Sequence, residues 1–194
     1  MLRTVLAATA PALALSAPVE VLDGYWIDVE SNPEDDTKVR FSLTLPKDSW
    51  MGLSLGVQSM IGGTDIIQCE TGADMQCYDK VTLGFFSPRL DPEQNIDFTW
   101  AETADGSIAF TIDRLLETTD DTDYIFMLDT DTTIGYAINQ SSSVPTQKHD
   151  TTGGIQVTLS KTVAEEETEM TEDEPQVMSG VRNKVRAALA FLTF

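Results

Sequence analysis

The chain has 194 residues, with 12 Lys and Arg against 32 Asp and Glu, and a formal net charge of −20. The length suits one domain with tails, and 41% hydrophobic content is enough for a buried core. The charge argues against nucleic acid and anionic lipid surfaces as partners; a solvated acidic face and a cationic protein partner both accommodate it.

Residues 1–17 read as a secretory signal peptide. Arg3 gives a positive start, residues 5–15 form a short apolar run, and Ala14, Ser16 and Ala17 suit cleavage near Pro18. The run is too short to span a bilayer. Export makes the two cysteines legible. Cys69 and Cys77 flank a turn signal, and in an oxidising compartment such a pair is expected to form a disulfide; two buried free thiols are the alternative. There is no CxxCH motif, which excludes covalent c-type haem. Asn139-Gln140-Ser141 is an N-glycosylation sequon, so Asn139 is expected on an exposed loop of a secreted glycoprotein.

From Gly24 onward the hydrophobic pattern has period two. Val39, Phe41, Leu43 and Leu45 alternate with polar residues as a half-buried strand, and Pro46-Lys47-Asp48 is a turn. Leu53, Leu55 and Val57 share one face of the next strand, with Gly52 and Gly56 on the other. Glycine there lets a neighbouring strand or a flat ligand approach the backbone. Residues 65–69 and 76–83 form the cysteine hairpin, and residues 87–95, with two prolines, form a loop. Residues 96–100 and 108–112 are strands joined by the Asp105-Gly106 turn. Arg114 precedes an acidic run, residues 117–123, where an ion pair or a calcium site fits the composition. Residues 124–128, 133–138 and 155–159 read as further strands. Residues 139–154 form a long polar loop of the kind that carries function.

About ten short strands without a helical stretch before residue 160 predict an all-β antiparallel sandwich spanning residues 18–160. Residues 161–178 are an acidic tail, expected to be disordered, with seven acids in residues 164–176. Residues 179–194 form a short basic amphipathic segment, too short for a membrane span.

The ordered set WMGLSLG, SMIGGTDII, YDKVTLGFFSPRLDP, DGSIAFTIDRLLETTDDTDY, TTIGYAIN and KHDTTGG resembles the DOMON domain over roughly residues 24–160. That family is named for the N-terminal region of dopamine beta-monooxygenase and includes the cytochrome domain of cellobiose dehydrogenase. The resemblance implies an immunoglobulin-like sandwich, an extracytoplasmic location, and binding of haem or sugars. In the haem-binding branch, noncovalent b-type haem is held between a Met in the turn after the W-x-G-x strand and a His in the late loop. Those positions are Met60 and His149, the only histidine. The chain departs from the branch in carrying Tyr136-Ala137 where Trp-Ala is commonest.

An imidazole and a thioether form a sensible axial pair, the soft thioether favouring Fe(II). With both axial positions filled, the implied task is single-electron transfer to a redox partner, not catalysis on a bound substrate. Asp150 or a loop carbonyl would orient the imidazole. Phe85, Phe86, Trp50 and Tyr136 are candidate walls for an apolar slot, with Leu53 and Leu55 as its floor; each of them also suits ordinary core packing. The alternative function is a non-haem DOMON module that binds carbohydrate or a protein. One histidine supports no Ser-His-Asp set, and nothing in the sequence points to a stand-alone enzyme.

Overall fold

The computed structural model describes residues 17–161 except 60, 85, 86, 145 and 146. The expected signal peptide, nearly all of the tail, the C-terminal segment and Met60 therefore lie outside the described residues. Eleven strands follow in chain order: β1 (Val19–Leu22), β2 (Tyr25–Ser31), β3 (Lys38–Leu45), β4 (Trp50–Leu55), β5 (Gly62–Thr71), β6 (Met75–Leu83), β7 (Arg89–Leu90), β8 (Ile96–Glu102), β9 (Ile108–Leu115), β10 (Asp131–Asn139) and β11 (Thr151–Thr158). They form two antiparallel sheets, a five-stranded one ordered β1-β2-β3-β9-β8 and a six-stranded one ordered β11-β10-β4-β5-β6-β7. The protein is thus the all-β sandwich that the alternation predicts. Among the described residues no helix is long and apolar enough to cross a membrane.

The core lies between the sheets because one face of each strand is apolar. Ile27, Val29, Val39, Phe41, Leu43, Phe110 and Ile112 face inward from the first sheet, and Met51, Leu53, Leu55, Ile67, Ile134 and Ile138 from the second. Cys69 and Cys77 sit directly opposite on β5 and β6 and are disulfide-bonded, with 4.1 Å between their Cα atoms. The bond is buried at the core and closes a short loop. Replacing both cysteines by alanine is expected to lower stability by about 2–3 kcal/mol, read as a lower urea midpoint.

Residues 124–128 are not a strand, contrary to their alternation. The N–H of Tyr124 donates to Asp65 Oδ2 (2.7 Å) and that of Phe126 to the carbonyl of Leu116 (2.8 Å), so the backbone is satisfied without a ladder. Phe126 is buried, edge-on to Phe41 and Tyr124, and the segment plugs one end of the sandwich. Tyr124 also crowds Gly56, where φ is +76° and an added Cβ would lie 2.2 Å from the ring. Only glycine meets both demands, so β4 stops at Leu55 and Val57 leaves the strand expected to contain it.

Candidate functional site

The second sheet is buried on its outer face as well as its inner one. Every residue of β4 is buried, although the inward side chains are only Met51, Leu53 and Leu55. Trp50, Ile66 and Gln68 are buried yet stand outside the core cluster, because they point away from the sandwich. Three buried polar atoms on this outer face have no hydrogen-bond partner: Trp50 Nε1, Gln68 Nε2 and Glu70 Oε2.

Cross-strand register divides the face into rows. Asn139, Trp50, Glu70 and Gln76 form one row. Thr152, Ala137, Gly52, Gln68 and Tyr78 form the next, and Gly154, Gly135, Ser54, Ile66 and Lys80 the third. The middle row is low over β4 and β10, where it carries only glycine and alanine. A Cβ at Gly52 would lie 3.7 Å from the Trp50 ring, so no backbone is pressed against it. The sequence marks Gly52 as a point of close approach, but its expected floor, Leu53 and Leu55, stands on the opposite face.

The chain on either side of Met60 is fixed beside the third row. Val57 and Gln58 cover Gly135, and the Gln58 side chain covers Gly154; a Cβ at Gly135 would come within 2.8 Å of the Val57 carbonyl. Past Met60, Ile61 donates to Thr64 Oγ1 (3.2 Å), and its carbonyl accepts from Thr64 Oγ1 (2.9 Å) and from Thr82 Oγ1. His149 is anchored at the opposite end of the face. Asp150 N donates to the Ile138 carbonyl (2.7 Å), Gln140 N to Asp150 Oδ2 (3.0 Å), and Asn139 Nδ2 to the Lys148 carbonyl (2.7 Å). His149 itself is half-buried. Three residue steps of roughly 3.3 Å separate these anchorages along β4, or about 10 Å.

Beyond the apolar floor, Lys80 Nζ donates to Gln68 Oε1 (3.0 Å) and lies over the Tyr78 ring, and Tyr78 donates to Glu70 Oε1 (3.3 Å). Burial lowers the Lys80 pKa, and burial chiefly raises that of Glu70. This polar border gave no sequence signal, since its members lie on two strands and meet only through register.

The structure redistributes the expected slot residues. Trp50 is on the outer face, but Leu53, Leu55 and Tyr136 face or pack against the core. They cannot line a slot with Trp50, because they stand on the other side of the same strands. Phe85 and Phe86 lie outside the described residues. Asn139 is 3% exposed rather than on an open loop; its amide nitrogen is engaged by Lys148 and its oxygen accepts from Ser141 N (3.0 Å). Arg114 reaches from β9 to Asp65 on β5 and to Asp123 in the β9–β10 connection, with Nη2 2.7 Å from Asp65 Oδ2 and 3.1 Å from Asp123 Oδ2. The acidic run foretold Asp123; the other partner, far upstream on β5, had no local signal.

No protein-family model and no curated protein matches the sequence. Among the solved structures that resemble the fold are two cytochrome domains. The cytochrome domain of Myriococcum thermophilum cellobiose dehydrogenase superposes with a TM-score of 0.49 at 15% identity, covering 70% of this chain and 74% of that one. The cytochrome b domain of pyranose dehydrogenase from Coprinopsis cinerea superposes with a TM-score of 0.49 at 14% identity, covering 69% and 74%.

Proposed function

We propose that the protein is an extracytoplasmic DOMON-type module that holds b-type haem on the outer face of the second sheet, with Met60 and His149 as axial ligands, and passes single electrons to a redox partner. One observation carries this reading: the chain flanking Met60 and the loop base holding His149 are anchored on opposite sides of one shallow row, whose floor at Gly52 and Ala137 carries almost no side chain. A thioether at position 60 and an imidazole at position 149 would hold the iron from these two anchorages, about 10 Å apart along the strands. The residues present fit the group. Thioether and imidazole are suitable donors, and the unpartnered donors Trp50 Nε1 and Gln68 Nε2 are available to acceptor groups of a bound ligand. The group supplies one-electron redox chemistry when bound. The protein's part is to fix the His149 backbone through Asp150 and Asn139, and to keep water from the apolar floor. The buried disulfide is of the kind found in oxidising compartments, which accords with secretion.

The carbohydrate-binding alternative has no supporting observation at this site. Residues 139–154 contain no Trp, Tyr or Phe, and the exposed Trp26 and Trp100 lie on the other sheet.

The test is a haemin titration of the purified chain followed by absorption spectroscopy. A six-coordinate low-spin spectrum with a sharp reduced α band is expected at one haem per chain. Met60→Ala and His149→Ala should each lose it while retaining the far-ultraviolet dichroism of the sandwich. A folded chain that takes up no haemin, or variants with unchanged spectra, would reject the assignment.

A further inference from the structure

At the end of the sandwich plugged by residues 116–130, five aspartates converge from four separate segments. One carboxylate oxygen from each of Asp65, Asp79 and Asp123 lies within 4.8 Å of the others, and the same holds for Asp91, Asp120 and Asp123. The two groups share Asp123. Asp79 is 1% exposed, Asp91 3% and Asp65 4%, so this is not a solvated surface patch. Asp65 and Asp79 each retain a buried oxygen, Oδ1, without any hydrogen-bond partner.

Arg114 does not account for the cluster. It brings one positive charge to five carboxylates. Its Nη2 is within ion-pair distance of Asp65 and Asp123 but is not aligned for a hydrogen bond, and its Nε and Nη1 have no partner. Other donors occupy only part of the oxygen set: Asn95 N on Asp79 Oδ2, Asn95 Nδ2 on Asp123 Oδ2, Glu93 N on Asp91 Oδ1, Thr122 Oγ1 on Asp91 Oδ2, and Tyr124 N on Asp65 Oδ2. Buried carboxylate oxygens left bare are costly, and close carboxylates repel unless a cation joins them.

We propose that this cluster is a binding site for a hard divalent cation of the calcium class, joining Asp79 and Asp91 on the sheet side to Asp120 and Asp123 on the loop side while Arg114 holds Asp65. Both groups consist of carboxylates alone, without His or Cys, which favours calcium over a transition metal. The cation fastens residues 116–124 to the β6–β8 connection and so completes the plug. The site lies between the sheets and shares no residue with the outer face assigned to haem.

The experiment is calcium titration of the full, haem-free chain after treatment with chelator, followed by calorimetry and thermal melting. One calcium per chain is expected, with a melting temperature several degrees higher in excess calcium and a smaller rise with magnesium. Asp79→Asn and Asp123→Asn should each weaken binding at least tenfold, whereas Asp105→Asn, in an exposed turn, should leave it unchanged. Where a cluster variant does not fold, terbium luminescence of the unaltered chain reads the same site, with Tyr124 beside it as sensitiser; calcium should displace the signal. No calcium-dependent heat or melting shift, equal effects of magnesium and sodium, wild-type affinity in the Asn variants, or no calcium-displaceable terbium signal would each overturn the proposal.

Discussion

Replacing Arg114 by leucine is expected to destabilise the fold by about 3–5 kcal/mol at pH 7.5, the usual consequence of stranding a buried charge. The side chain is fully buried, and its guanidinium lies 2.7 Å from Asp65 and 3.1 Å from Asp123. It also packs over the Phe126 ring, 5.9 Å from the centroid. Leucine restores part of the apolar packing but none of the charge. Asp65, Asp79 and Asp123 then repel one another in a setting with little water. Urea unfolding in chelator should show the loss as a lower midpoint with an unchanged slope. Adding Asp65→Asn to Arg114→Leu should recover part of it, because that carboxylate no longer needs a cation. A loss below about 1 kcal/mol would mean that the ion pair is not what holds the plug in place.

Stability should fall as pH rises from 5 to 7.5, the reverse of ordinary acid denaturation. Burial chiefly raises the Asp65 carboxyl from its usual 3.8 to about 6, against the pull of Arg114. Burial, then the charges of Asp65 and Asp123, raise Asp79 to about 7. Both groups bind their protons more tightly folded than unfolded. The stabilisation they lend is therefore complete below the ordinary aspartate pKa and is lost as pH rises through 6 and then 7. They titrate as a coupled pair, and their combined effect over this pH range is on the order of 4 kcal/mol. Glu30 and Glu70 are shifted in the same direction by burial. Asp35, Asp105 and Asp120, which hydrogen bonds to nearby threonines hold low, act in the opposite direction only in stronger acid. Urea midpoints at a series of pH values in chelator read the slope directly. Asp79→Asn should flatten it and raise stability at pH 7.5; a flat wild-type profile would contradict the assignment.

Much of the architecture was legible because one face of most strands meets solvent. Val39 to Leu45 alternates without a break, and the Asp105-Gly106 turn marks the β8–β9 hairpin. The cysteine pair could be placed because its two strands are adjacent in sequence. The misreading at residues 124–128 has a specific cause: Tyr124, Phe126 and Leu128 alternate because they insert into the end of the sandwich, and periodicity alone cannot separate a plug from a strand. The slot residues were misplaced for a related reason. Trp50, Leu53 and Leu55 share a strand, but odd and even positions lie on opposite faces, and β4 is apolar or small on both. The Gln68–Lys80–Tyr78 border and the Asp65–Arg114 contact depend on register and on the crossing between sheets, which local pattern does not encode.

A strand without a wet side has little in its own side chains to resist a one-residue slip, since either alignment buries apolar or small groups. In β4 the alignment is therefore imposed from its ends. Gly56, in its left-handed conformation, stops one end, and at the other Thr71 binds Ser49 through backbone and hydroxyl and donates its hydroxyl to the Pro46 carbonyl. The Thr71 contacts are short-range, lying between the start of β4 and its neighbour β5, whereas β10 arrives from some eighty residues downstream. The order of assembly follows: the local hairpin sets the frame, and the distant strand docks onto an edge already in phase.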